Sequence, residues 1–96
     1  MQVRRLILPL MAVLLSSCAS APVQEMSDAR QAIDAASKVK AGKFAPKLML
    51  RAKNRLIDAE KALKQGEWKK ARKSAINARS DAIAARAQVD SASSEN

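Results

Sequence analysis

Cys18 is the only thiol in the chain, and there is no histidine anywhere to act as its base. A thiol attacks as the thiolate, which needs a neighbouring base or a strongly cationic pocket. Tyrosine is absent as well, and with 2 glycines the chain has no glycine-rich loop to cradle a phosphate. The nine acids are spread out. Helical spacing gives two of them lysine partners, Glu60 with Lys64 at i, i+4 and Asp58 with Lys61 at i, i+3. A hydrolytic carboxylate pair needs a cleft, which 96 residues hardly provide. Without histidine or a free thiolate, transition-metal ligands are lacking too. The expectation is a protein that is not an enzyme, with no metal, no cofactor and no small-molecule substrate.

What stands ahead of Cys18 gives that residue a different meaning. Met1 to Arg5 is a short positive stretch, and Leu6 to Leu15 (LILPLMAVLL) is apolar, interrupted only by Pro9. Ten residues rise about 15 Å as a helix, half of a ~30 Å hydrocarbon core, so the run reads as a signal peptide and not a membrane span. Arg4 and Arg5 orient it by charge; their neighbours do not support twin-arginine export. The sequence Leu15-Ser16-Ser17-Cys18 closing this run resembles a bacterial lipobox. That resemblance implies cleavage before Cys18, which then carries a thioether-linked diacylglycerol and an N-acyl chain, enough acyl chains for stable anchoring. Position two after the cysteine is Ala19, not the aspartate associated with inner-membrane retention. The implied address is therefore the periplasmic face of an outer membrane, with residues 1–17 removed and residues 18–22 as anchor and spacer.

Beyond the spacer the elements can be read from periodicity. Aromatics make up 2% of the chain, so the core must come from aliphatic residues and many alanines, which suits close-packed helices. Val23, Met26, Ala29, Ile33 and Ala36 recur at three- and four-residue steps and predict a first helix that fades near Gly42. Pro46 restarts a helix, with Ala45 as the break and Phe44 placed to staple onto Met49. The second helix runs from Pro46 to Lys64, its seam Ala45, Met49, Ala52, Leu56, Ala59 and Leu63. Gly66 is the natural left-handed cap after it. The third helix, from Glu67, has the seam Trp68, Ala71, Ala75, Ala78, Ala82, Ala85 and Val89, with Trp68 expected to cap the open end of the core; the other use of its indole is as a membrane-interface anchor or carbohydrate stacker.

Two complementary seams joined by a short turn predict an antiparallel αα-hairpin. A second apolar strip, Leu50 and Ile57 on one helix with Ile76 and Ile83 on the other, is the expected docking place of the first helix. The resulting fold class is all-α, a three-helix bundle over residues 23–92, with residues 93–96 as a frayed tail.

Cys18-Ala19-Ser20, the Lys43-Phe44-Ala45-Pro46 break and the Gly66-Glu67-Trp68-Lys69-Lys70-Ala71 turn together resemble a family of short, alanine-rich bacterial lipoproteins, domain of unknown function forty-three ninety-eight. The resemblance covers essentially the whole chain. It implies a lipobox followed by three helical segments, sometimes continued elsewhere in the family by an OmpA-like peptidoglycan-binding domain. It carries over no functional residue.

Charge is the remaining signal. The formal net charge is +9, and Lys38 to Lys73 holds thirteen Lys and Arg against Asp58, Glu60 and Glu67. Such a bias favours anionic surfaces, and the export signal makes nucleic acid the least suitable of them. Candidate contacts are Lys47, Arg51, Arg55, Lys69, Lys70, Arg72, Lys73, Arg79 and Arg86. Arg72, Arg79 and Arg86 recur every seven residues, and their heads are expected to pair with acids of a neighbouring helix or a partner. The functional expectation is a lipid-anchored structural or adaptor module that contacts an envelope protein or peptidoglycan. Two alternatives stand beside it: an alanine-zipper oligomer like the murein lipoproteins, without their C-terminal lysine, and a basic module that binds lipopolysaccharide or anionic phospholipid.

Overall fold

The computed structural model describes residues 21–94. The expected signal peptide, the expected cleavage motif Leu15-Ser16-Ser17 and Cys18 lie outside the described residues. Four helices follow one another: α1 (Val23–Lys38), α2 (Ala41–Phe44), α3 (Pro46–Lys64) and α4 (Trp68–Ser94). The three long helices are those that the periodicity predicts, and α3 has the predicted ends. The one-turn α2 fills the connection where the periodicity predicts only a fading helix end.

Both turns are fixed by backbone conformation. Gly66 takes a φ of +75°, the left-handed value open to a residue without a Cβ. Around it the Glu67 amide donates to the Ala62 carbonyl at 2.9 Å and the Gly66 amide to Leu63 at 3.1 Å. This is the paired Schellman pattern, which satisfies two of the carbonyls left over at the end of α3. The first turn is different from the expectation. Gly42 lies inside α2, and Lys40 takes the left-handed conformation instead, at φ 61°. The Lys40 amide closes the end of α1 on Ser37, and its carbonyl accepts from Lys43 to start α2. A lysine pays a steric penalty there that a glycine avoids.

The core is built almost wholly from alanine. Apart from Pro22, Met26, Met49 and Val89, every buried apolar residue described is an alanine. On α4 these are Ala71, Ala75, Ala78, Ala82 and Ala85, the predicted seam. Alanine lets helix axes approach toward the short end of the usual 8–10 Å range. Ile33 of α1 packs into both halves of the core, joining the Met26 end to the Met49 end. Glu25 of α1 pairs with Arg72 and Arg30 with Glu60, so α1 runs parallel to α4 and antiparallel to α3.

Several expectations are corrected by this packing. α1 does not dock on the Leu50/Ile57 and Ile76/Ile83 strip. These residues lie about 120–160° around their helices from the buried alanines, and they are 47–61% exposed. α1 packs on the alanine seam itself, which is narrow enough in side-chain volume for three backbones to share. Val23 is exposed and outside the α1 seam, which Pro22 and Met26 begin instead. Trp68 is 44% exposed and does not close the core. Phe44 is exposed beside Ala87, Gln88 and Ser91 of α4, with Lys43 Nζ 5.7 Å from its ring centre, so the staple onto Met49 is replaced. Glu60 reaches across to Arg30 at 3.6 Å, not along its helix to Lys64. No Asp58–Lys61 ion pair forms among the described residues. The C-terminal segment is helical to Ser94, where the hydroxyls of Ser91 and Ser94 donate to the carbonyls of Ala87 and Ser91.

Candidate anionic-contact surface

The nine candidate cations divide by what they touch. Arg51 and Arg55 stand one turn apart on α3 and converge on a single carboxylate of α4, Asp81. Arg51 donates from Nε to Oδ2 at 3.0 Å and from Nη2 to Oδ1 at 2.9 Å, a two-pronged grip. Arg55 Nε lies 2.9 Å from Oδ2 as an ion pair, without the alignment that a hydrogen bond needs. Asp81 is the one charged residue buried among the described residues, at 8% exposure for the whole residue. Its hydrogen bonds, and then its charge, push the Arg51 guanidinium above the ordinary arginine value. Arg51 and Arg55 therefore hold the hairpin together before they meet any outside anion.

Asp81 was not among the candidate residues, although the sequence contains its signal. It sits three residues after Ala78 and four before Ala85, beside the buried ridge. In an antiparallel hairpin turning at Gly66, it lies level with Arg51. An acid flush with an apolar seam needs a partner on the facing helix.

Arg72 meets the expectation for the arginine stripe: its Nε donates to Glu25 of α1 at 3.2 Å. Lys70 stands 3.9 Å from Glu67, both exposed, an arrangement that contributes little. Lys47, Lys69, Lys73, Arg79 and Arg86 are exposed and have no ion pair with any described residue. They do not form one patch. Lys69, Arg72 and Lys73 line a shallow depression with Ile76 and Asn77 on the outer side of α4. Lys47 lies across the molecule with Leu50, Arg51 and Asn54, in an open groove along α3. Arg79 and Arg86 continue the α4 side.

Neither depression is enclosed; long cationic side chains line both, with Asp58 also in the α3 groove and Ile76 in the α4 one. Such surfaces suit contact with an extended anionic partner better than capture of a small molecule. Among the described residues no three acidic or thiol side chains converge as metal ligands, and no helix is long and apolar enough to cross a membrane.

The model of the family described as "Domain of unknown function (DUF4398)" matches residues 24–96, which takes in the bundle almost from the first turn of α1. No curated protein and no solved structure matches the chain. The helical bundle with its alanine seam and basic outer sides is a member of the DUF4398 family.

Proposed function

We propose that this protein is a non-enzymatic outer-membrane lipoprotein, tethered through Cys18, whose bundle is a structural or adaptor module contacting an envelope protein or peptidoglycan. The observation behind this reading is the division of its cations. Asp81, Glu25, Glu60 and Glu67 engage Arg51, Arg55, Arg72, Arg30 and Lys70. Lys47, Lys69, Lys73, Arg79 and Arg86 are left to face outward from a scaffold with little internal slack. A surface of that kind meets anionic polymers and acidic protein faces by charge complementarity.

The alanine seam of α4 is already covered by α1 and α3, which weighs against a murein-lipoprotein-like zipper built on the same seam. Mass measurement in solution separates the two, since a zipper requires a multiple of the chain mass.

The direct test is sedimentation of the purified protein with isolated sacculi, with and without other envelope proteins. Pelleting in either case, reduced by Lys69→Glu and Lys73→Glu, is the expected result. Absence from both pellets refutes the module reading. The anchor is tested separately: Cys18→Ser should release the protein from membranes with its helical content unchanged. Retention of that variant after a salt wash refutes the tether.

A further inference from the structure

Opposite the buried alanines of α4 runs a second ridge with the same four-and-three spacing: Lys69, Lys73, Ile76, Ser80, Ile83 and Ala87. All six are exposed. Ile76 and Ile83 lie about 10 Å apart along the helix, two turns from each other, and each is half exposed. Arg79 and Arg86 flank the ridge on one side, and Trp68, 44% exposed, stands at its N-terminal edge. The charges on this helix are mostly of one sign. Its two acids are Asp81, which is buried beneath Arg51 and Arg55 of α3, and Asp90, exposed two turns beyond Ile83 toward the C-terminal end. The corresponding strip on α3, Leu50 and Ile57, shares its helix with Asp58 and Glu60, while α1 carries Glu25, Asp28 and Asp34.

We infer that the outer face of α4 docks side-on against an anionic phospholipid leaflet, Ile76 and Ile83 entering the headgroup layer and Lys69, Lys73, Arg79 and Arg86 meeting the phosphates. Aliphatic side chains ringed by Lys and Arg, with a tryptophan at the margin, are the composition that binds at a bilayer interface without crossing it. Basic residues near such a surface are drawn to it within a Debye length. Chain direction agrees. Because Glu25 meets Arg72, the described chain starts beside the Trp68 end of α4. Pro22 is four positions after Cys18, a reach of at most about 14 Å. A lipid on Cys18 and the face of α4 therefore address the same leaflet. For the position of that leaflet the inference rests on the tether reading; for the contact itself it rests on α4 alone.

Trp68 is the only tryptophan of the chain and reports the contact directly. The full-length lipidated protein is incorporated into vesicles of phosphatidylcholine, or of phosphatidylcholine mixed with phosphatidylglycerol, each with brominated acyl chains. Trp68 emission is then read at low and high salt. The expected result is a shift to shorter wavelength and strong quenching in the anionic vesicles, with loss of both in neutral vesicles and at high salt. The pairs Ile76→Ser with Ile83→Ser and Lys69→Glu with Lys73→Glu should each abolish the quenching while circular dichroism stays helical. Leu50→Ser with Ile57→Ser on α3 should leave it intact. Equal quenching in neutral and anionic vesicles, no quenching in either, or loss only in the α3 variant overturns the inference. Vesicle flotation separates this from the tether: protein that floats in all vesicles without quenching keeps the anchor and refutes the docking. Quenching confined to anionic vesicles, by protein that does not float with neutral ones, keeps the docking and refutes the anchor.

Discussion

Removing both arginines from Asp81 should cost far more than removing them one at a time. Arg51 and Arg55 have side chains 56% and 36% exposed, whereas that of Asp81 is 11% exposed. Arg51→Met leaves Asp81 paired with Arg55, and Arg55→Met leaves it with Arg51. Each change removes charged contacts that are partly solvated and leaves the carboxylate its other partner, so each single change should cost little. The double variant leaves a carboxylate with almost no access to water and no counter-charge. Breaking a buried pair in that way costs about 3–5 kcal/mol, and the lower end applies because Asp81 lies at the edge of the core. The double variant should therefore cost more than the two singles combined, as residues sharing one network do.

A third change sharpens the test. Asp81→Ala in the double-methionine background removes the stranded charge, and buried ion groups replaced by apolar ones often leave stability unharmed. Most of the lost stability should return. Urea unfolding followed by far-UV circular dichroism gives each value, with equal slopes showing that the same surface unfolds. A bundle of this size has a total stability on the order of 4–10 kcal/mol, so the double variant should be visibly close to its limit. In thermal melts each kcal/mol corresponds to a fall of about 4–8 °C. If the double variant costs no more than the sum of the singles, or if Asp81→Ala fails to rescue it, Asp81 is hydrated in solution and the clamp reasoning is wrong.

Other expectations follow from single positions. Gly66→Ala should destabilise by about 1 kcal/mol, measured by urea unfolding; its new Cβ meets nothing within 4 Å, so the cost is that of positive φ alone. Lys40→Gly should act in the opposite direction, adding about 0.5–1 kcal/mol at the other left-handed position. Ala78→Leu should lose about 1–3 kcal/mol or force α1 off the seam, seen as a drop in melting temperature, because Ala78 is fully buried where three helices meet. Arg51 should contribute no pH dependence anywhere below the ordinary arginine range. Its value is raised in the fold, so its contribution is complete below the unfolded value and is lost only as pH climbs through the folded one.

The ends of α3 and the buried ridge of α4 were legible because each rests on local rules: a proline start, a glycine stop, and small apolar residues every three or four positions. Gly66 shows the same legibility in a turn, since a left-handed cap after a lysine-rich last turn has few other solutions. The first turn shows where that rule stops. The left-handed residue between α1 and α2 is Lys40, held by backbone hydrogen bonds to both helices, and propensity alone would place it on the glycine. Phe44 and Trp68 misled through size. Phe44 reads as a staple onto Met49 and Trp68 as a core cap, but a core closed by alanines leaves no hollow for either. The Arg51–Asp81–Arg55 cluster joins residues thirty positions apart in sequence, so it follows from knowing that the hairpin is antiparallel and where it turns.

The same alanines explain why the candidate surface was only half legible. Because alanine fills so little volume, α1 can reach the seam that α3 and α4 already share, and the Leu50/Ile57 and Ile76/Ile83 strips are left outside. A bulkier seam would have separated the hairpin helices and drawn those residues inward to cover the gap. Exposure of Ile76 and Ile83 is thus a consequence of the core's composition, and it is the reason α4 presents apolar and cationic side chains on one line. The interior then constrains the exterior: enlarging the seam at Ala78 should not only lower stability but also shift the packing on which the exposed line depends. Ala78→Leu therefore tests both at once. A variant that melts lower yet keeps Trp68 quenching by anionic vesicles would show the outer face of α4 to be independent of how the core is closed, contrary to the packing argument.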